Sequence, residues 1–260
     1  MDRTYWHRQT AEKPLFPDIL WSRPEHAAQA GKLGIVGGNV HGFAAPAEAY
    51  QAASKAGVGT VRVLLPNSLQ KTVGRVFEAG EYAPSTPSGS FSQLALSDVL
   101  ELGEWANAVL LAGGFGHNSE TAILLEKVLE KHKGQLSLAG DTVDYFLAKP
   151  QTLLARADTL LMLDPSQLQK LAVGAHFSQA FTSTIDFLPL VERLHDFSQQ
   201  FAAIFVVQQL DTIFIAADGW VSTTKIAAAV SLLSLATTAT VWWLQNPTKA
   251  FEAVTTAMIA

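Results

Sequence analysis

Residues Gly31 to Pro66, GKLGIVGGNVHGFAAPAEAYQAASKAGVGTVRVLLP, leave few options for the fold. Leu33 to Val36 is a short apolar run that stops at Gly37-Gly38. Such runs, bounded by Gly, read as buried strands. Ala44 to Ala56 is rich in good helix formers and ends at Gly57, a C-cap signal. Thr60 to Leu65 is β-branched and apolar, and Pro66 closes it. Strand, helix and strand within about 30 residues form a right-handed βαβ unit with parallel strands. The glycine turn then lies at the carboxyl end of the first strand. Its backbone N–H groups and the following helix N-terminus suit an anion. The same glycines also serve a plain tight turn.

The pattern repeats downstream. Ala108 to Ala112 reads as a second buried strand, followed by Gly113-Gly114-Phe115-Gly116. Asn118 or Ser119 caps an amphipathic helix over Thr121 to His132. Gln135 to Ala139 and Asp158 to Leu163 are further strands. Asp141, after the first of them, either orients a substrate hydroxyl or metal-bound water, or caps a helix over Val143 to Lys149. Asp164 or Ser166 starts the helix Gln167 to Leu171. Leu188 to Gln200 is predicted helical. Ala203 to Gln208, Thr212 to Ala216 and Trp220 to Thr223 are predicted strands, the last two joined by an Asp218-Gly219 turn. Asn67 to Gly80 reads as a helix capped by Ser68, Glu81 to Ser92 as a surface loop, and Gln93 to Glu104 as a helix. Asn246 to Ala260 reads as a last helix, with Asn246 or Thr248 near its cap. The expectation is a single doubly wound α/β domain over 31–260, with a mostly parallel sheet and helices on both faces. An irregular arm, 1–30, precedes it. Its Trp6, Phe16, Leu20 and Trp21 pack on the domain or on a neighbouring subunit.

Composition removes several function classes. The net charge of −5 gives no electrostatic case for nucleic acid. With no cysteine, disulfides, thiolate catalysis and Cys-based zinc sites are excluded. His176 and His195 have no partner at metal-ligand spacing and read as ordinary histidines. The first thirty residues lack the apolar core of a signal peptide, and a cytoplasmic location is expected. Ile226 to Leu244 runs 19 residues without a charge, borderline for a membrane span. Its Ala, Ser and Thr content favours a buried core helix, so no membrane association is expected.

With these features set out, the chain resembles the ADP- or ATP-dependent NAD(P)H-hydrate dehydratases, within the ribokinase-like superfamily. Arg23-Pro24, Gly37-Gly38-Asn39, Ala44-Ala45-Pro46 and Gly57-Val58-Gly59 stand where that family carries its opening motifs. The resemblance implies a lyase that dehydrates hydrated NADH or NADPH with ATP or ADP and Mg²⁺, commonly as a homo-oligomer. Carried over residue by residue, it points to Gly37, Gly38, Asn39, Ala45, Gly114, Gly116, Asp141, Asp164 and Gln208 as ligand contacts, with Asp141 the weak catalytic candidate. No metal ligand is assigned.

The departures are specific. Gly113 stands at the family's proline in Gly-Pro-Gly-Leu-Gly, and Ala139 at the first Asp of Asp-Ala-Asp. Asp164-Pro165-Ser166-Gln167 replaces His-Pro-Gly-Glu, losing the His that contacts the hydrated nicotinamide in the family. Gln208-Gln209 replaces Lys-Gly, keeping donors but no charge. No Gly-x-Gly-Asp follows Gly219; Thr223-Thr224-Lys225 leads straight into Ile226. Three readings follow. One is a degenerate homologue binding a nucleotide-like or NAD(P)H-like ligand, or acting as an assembly or partner protein. The second is an active dehydratase, and the third a phosphoryl-transfer enzyme with a reorganised site. Convergence of Lys225, Gln208 and Asp141 on one pocket would favour an enzyme.

Overall fold

The computed structural model describes residues 3–75, 77–226 and 230–260. Ten strands form one sheet: β1 (Trp6–Gln9), β2 (Lys32–Gly37), β3 (Thr60–Pro66), β4 (Gly80–Ala83), β5 (Ala108–Gly113), β6 (Gln135–Leu138), β7 (Thr159–Leu163), β8 (Ile204–Gln209), β9 (Thr212–Ala217) and β10 (Trp220–Lys225). Their order is β1-β10-β9-β8-β7-β6-β5-β2-β3-β4. Only β9 runs against its neighbours, through the two tight turns that follow β8 and precede β10. The helices are α1 (Pro17–Trp21), α2 (Ala44–Lys55), α3 (Gln70–Val73), α4 (Leu96–Trp105), α5 (Ser119–Lys131), α6 (Gln151–Leu154), α7 (Pro165–Gly174), α8 (Phe187–Gln200), α9 (Leu232–Gln245) and α10 (Ala250–Ala257).

Side-chain alternation along each strand splits the core into two layers. On one face Val109, Leu111, Leu161 and Leu163 meet α4, α5, α7 and α8. On the other Leu33, Ile35, Leu110 and Leu160 meet α2, α9 and α10. The fold is thus the α/β doubly wound sheet that the sequence pattern predicts. Gly34 shows why one position needs glycine: a Cβ there would lie 2.8 Å from Leu102, so its absence lets α4 settle onto β2.

The uncharged stretch before Leu244 is a core helix. Helix α9 starts at Leu232, with the Ser231 hydroxyl accepting from Leu233 N–H. Thr237, Thr238 and Thr240 donate to carbonyls one turn back, and the Thr240 oxygen also accepts from the Ser137 hydroxyl on β6. The hydroxyls are therefore satisfied inside an apolar layer that holds Trp242 and Trp243, each 1% exposed. Fourteen residues span only about 21 Å at 1.5 Å each. Among the described residues no helix is long and apolar enough to cross a membrane. The expected first turn of this helix, at 227–229, lies outside the described residues.

Several local expectations are corrected. The arm is not wholly irregular: Trp6–Gln9 adds a parallel edge strand to β10. The Trp6 indole donates to Thr223, and Phe16 packs edge-on to Phe251. Asn67 to Gly80 is not one helix; a 3-10 turn over Asn67–Leu69 precedes the single turn of α3. Ser68 does not cap it, because its hydroxyl donates to Gly89 O. Residue 76, within that expected helix, lies outside the described residues. The Glu81 to Ser92 stretch is not a surface loop. It opens with β4, which pairs with β3, and it buries Phe91 against Phe115. Asn246 and Thr248 do not cap the last helix. Asn246 ends α9, donating to Trp242 O, and α10 begins only at Ala250.

Candidate functional site

Strands β2, β3 and β4 step outward on one side, and β5, β6 and β7 on the other. The order therefore reverses between β2 and β5. In open α/β sheets ligands sit at the carboxyl ends of the strands at such a switch point. The two glycine loops meet there. Gly38 N–H donates to Gly113 O at 3.0 Å. Asn39 Nδ2 donates to Gly114 O at 2.6 Å. A Cβ at Gly114 would lie 3.5 Å from Gly38 Cα and 3.9 Å from Ala45 Cβ, so the backbones nearly touch. Gly37, Gly38, Asn39, Ala45, Gly114 and Gly116 form one surface; a Cβ at Gly116 would stand 3.0 Å from Asn39 Nδ2.

Asp141 joins them from the end of β6. The chain after Ala139 folds as a 3-10 turn over Gly140–Phe146, capped by no side chain. The capping role weighed for Asp141 is therefore not the one it plays. Its Oδ1 accepts from Gly114 N–H at 2.7 Å. Gly113 permits this contact: its φ is +94°, and a Cβ there would lie 2.6 Å from that same oxygen. Proline, fixed near φ −65°, cannot adopt this backbone, so the departure at Gly113 and the placement of Asp141 belong together. Tyr145 lies one turn on, 6.1 Å ring to ring from His117. Its hydroxyl is buried without a hydrogen-bond partner. Burial first, then the neighbouring Asp141 charge, push its pKa above the usual tyrosine value. No sequence motif marks Tyr145; only its place four residues after Asp141 could have.

Asp164 does cap α7, in a reciprocal capping box with Gln167. Gln167 then reaches across to Gly140 O and Asp144 Oδ1, tying the ends of β6 and β7 together. The role of Gln167 as a bridge between strand ends is not readable from its local sequence.

The far side of the carboxyl edge is separate. Gln208 donates to Leu210 O. Lys225 is largely exposed and pairs with Asp211 at 3.3 Å. Asp141 follows β6, while Gln208 is on β8 and Lys225 on β10. At about 4.8 Å per strand these lie about 10 and 19 Å away along the edge. The three do not converge. Lys225 lines two cavities, neither bordered by Gln208 or Asp141.

The residues present fit a phosphate poorly. The N–H groups of Gly38, Asn39, Val40, His41 and Gly42 all donate to protein oxygens, and that of Gly114 to Asp141. No Lys or Arg occurs in 37–45 or 113–120; His41 and His117 are the basic groups there. What remains for an anion is the first turn of α2, which no side chain caps, and the N–H groups of Phe115 and Gly116 in the second loop. Among the described residues no group of three or more His, Asp or Glu is placed to hold a metal.

An open, doubly wound α/β sheet with a glycine-lined switch point is the class that this fold and edge define. A ribokinase-like superfamily protein from Enterococcus faecalis V583 superposes with a TM-score of 0.73 at 14% identity, over 100% of this chain and 87% of that one. An ADP/ATP-dependent NAD(P)H-hydrate dehydratase from Bacillus subtilis, co-crystallised with ATP and Mg²⁺, gives 0.61 at 14% identity, over 94% and 85%. In sequence, the chain is 27% identical over 158 residues to the bifunctional NAD(P)H-hydrate repair enzyme Nnr of Methanothermobacter thermautotrophicus. That match spans 59% of this chain and 27% of the relative, so the chain corresponds to about a quarter of its length. No established family profile matches. The resemblance to NAD(P)H-hydrate dehydratases seen in the motifs thus extends to the fold, while the solved neighbours share too little sequence to carry activity.

Proposed function

We propose that the chain is a homologue of NAD(P)H-hydrate dehydratase whose catalysis is lost or altered, and that it keeps a nucleotide-like ligand or a partner role. One observation carries this reading: the backbone donors of the first glycine loop are bound within the protein. An anion hole works because its donors point, unpaired, at the developing charge. Here the Asn39 side chain and Gly38 N–H hold the two loops to each other, and Asp141 holds the second loop to the end of β6. The missing Lys-Gly and Gly-x-Gly-Asp point the same way, since Gln208 and Lys225 do not approach the crevice. A ligand suited to it has little charge at this edge, such as a nucleoside or a nicotinamide-like ring. The homo-oligomer implied by the resemblance and the expected cytoplasmic location belong to this proposal.

A second reading, an active ADP- or ATP-dependent dehydratase, is favoured by Asp141. It stands at the carboxyl end of β6, fixed by Gly114 N–H, where a group acting on a substrate hydroxyl would stand. Thermal-shift titration with ATP, ADP, AMP and NADPH, with and without Mg²⁺, separates the two. A ligand that binds only the folded state raises the melting temperature by mass action. The proposal expects a shift with NADPH or AMP that does not grow with added phosphates or Mg²⁺. Turnover of hydrated NADPH with ATP or ADP would overturn it and establish the second reading.

A further inference from the structure

A large cavity lies on the opposite edge of the sheet from the glycine loops. It has a volume of about 550 Å³ and is bounded by the starts of β7, β8 and β10 and by the turn between α9 and α10. That is the size range of pockets for small organic ligands. Its walls combine two kinds of group. Phe16, Trp220, Trp243 and Phe251 supply aromatic surface, and Asp158, Asp218 and Glu252 supply carboxylates. No Lys or Arg lines it.

Two cations stand near the cavity without lining it, and each acts by charge on one of its carboxylates, Arg156 on Asp158 and Lys249 on Glu252, while their hydrogen bonds go to other groups. The Arg156 guanidinium donates to the backbone carbonyls of His132, Gly134 and Asp158 and to the Thr159 hydroxyl. Lys249 pairs with Asp18 at 2.7 Å. Among the described residues none of the three carboxylates is in a salt bridge. Trp220 is 49% exposed, with His7 stacked on it at 5.6 Å, an open aromatic face at the rim. Trp243, at 1% exposed, forms part of the wall. Aromatic faces attract cations through their quadrupoles, and carboxylates outside any salt bridge, Asp218 above all, add to that field.

From these groups together we infer that this cavity is a binding site for a small organic cation, an aryl or alkyl ammonium. Its rings contact Trp220 and Phe251, and its ammonium lies between Asp158, Asp218 and Glu252. The site is independent of the switch-point crevice and of what that crevice binds.

Three probes of matched shape test it by isothermal titration calorimetry: 2-phenylethylammonium, neutral 2-phenylethanol and anionic 3-phenylpropionate. The ammonium is expected to bind at least about tenfold tighter than the alcohol, a difference of about 1.4 kcal/mol, and the carboxylate not at all. Asp218→Asn with Glu252→Gln should remove that preference, and Trp220→Ala should weaken the ammonium further. All three positions are at least partly exposed, so these variants are expected to fold. A melting curve like that of the parent confirms it. Equal affinity for the ammonium and the alcohol, no ammonium binding at about 1 mM, or unchanged binding by the variants would each overturn the assignment.

Discussion

The two glycine loops and the lead-in to α9 meet the same problem, turning a strand into a helix at the carboxyl edge. They solve it with different chemistry. After β2 and β5, positive-φ glycines at 38, 113, 114 and 116 allow tight turns, and the turns are then fastened to each other. Asn39 reaches Gly114 O, Gly38 N–H reaches Gly113 O, and Asp141 holds Gly114 N–H. After β10 no glycine is available. Ile226 N–H extends the ladder to Asp211 O, and Ser231 starts the helix with a single side-chain bond. One region keeps the form of a ligand loop but uses its donors to hold itself together. The other keeps the helix without a glycine turn. On the proposed reading an anion site is lost by two routes, bonding of the first loop's donors within the protein and a sequence after β10 that carries no glycine.

The largest test of the contrast is at Gly113. Gly113→Pro demands a φ the loop does not have and adds atoms where Asp141 Oδ1 sits 2.6 Å from the would-be Cβ. We expect a loss of about 3 kcal/mol or more in urea unfolding. A near-neutral result would mean that the loop is free to take the family's proline conformation, and the two loops are not fastened as described. Asn39→Ala comes next. It removes the donor to Gly114 O and the acceptor for His41 N–H, and about 2 kcal/mol should go with them. Because the bond to Gly114 links the loops, the variant should also speed amide exchange in both at once. Exchange confined to 39–42 would show the loops to be independent.

At the other lead-in the expected effect is smaller. Ser231→Ala removes one N-cap acceptor from a helix whose packing against β5, β6 and β7 is otherwise intact. It should cost about 1 kcal/mol. A cost as large as that of Asn39→Ala would break the contrast, because the cap would then be holding more than the helix start. Smaller still is a titration effect beside the loops. Asp141→Asn keeps a carbonyl oxygen for Gly114 N–H but removes the charge near Tyr145. The Tyr145 pKa should fall toward 10.0 without reaching it, because burial is the larger cause of its rise. An unchanged ultraviolet tyrosine titration would place Asp141 away from Tyr145.

Much of this was legible in residues 31–66 and 108–132, where apolar runs, glycine pairs and a capping Asn fix strand, turn and helix locally. Asn118 accepts from Glu120 and Thr121 N–H, and Asp164 forms its capping box, as the local pattern implies. The misses have a common cause. β1 and β4 are four-residue edge strands whose identity depends on β10 and β3, far away in the chain. No local periodicity of that length can reveal a partner. The capping alternative for Asp141 arises because capping is a local use of an Asp after a strand. Its actual partner, Gly114, is 27 residues away and accessible only because residue 113 has no side chain. Ser68 was misread for the same reason, its acceptor being Gly89. The candidate site was thus visible as a set of residues but not as a set of bonds, and the bonds decide what the site can hold.

The smallest expected effect is the one that most sharply separates the two readings of function. Lys225→Ala and Gln208→Ala alter groups that lie about two to four strands from Asp141, at about 4.8 Å each, and whose side chains, among the described residues, bond to Asp211 and Leu210. If the ligand site is the switch-point crevice, both variants should leave the ligand-induced rise in melting temperature where it was. Asp141→Ala, by contrast, should reduce it by loosening the second loop. An ATP-handling site requires the opposite ranking, because phosphate affinity depends on positive charge and donors near the nucleotide. In that case Lys225→Ala would abolish an ATP-specific shift and Asp141→Ala would leave it. The ranking of the variants, rather than the size of any single shift, therefore decides whether the far side of the carboxyl edge belongs to the ligand site.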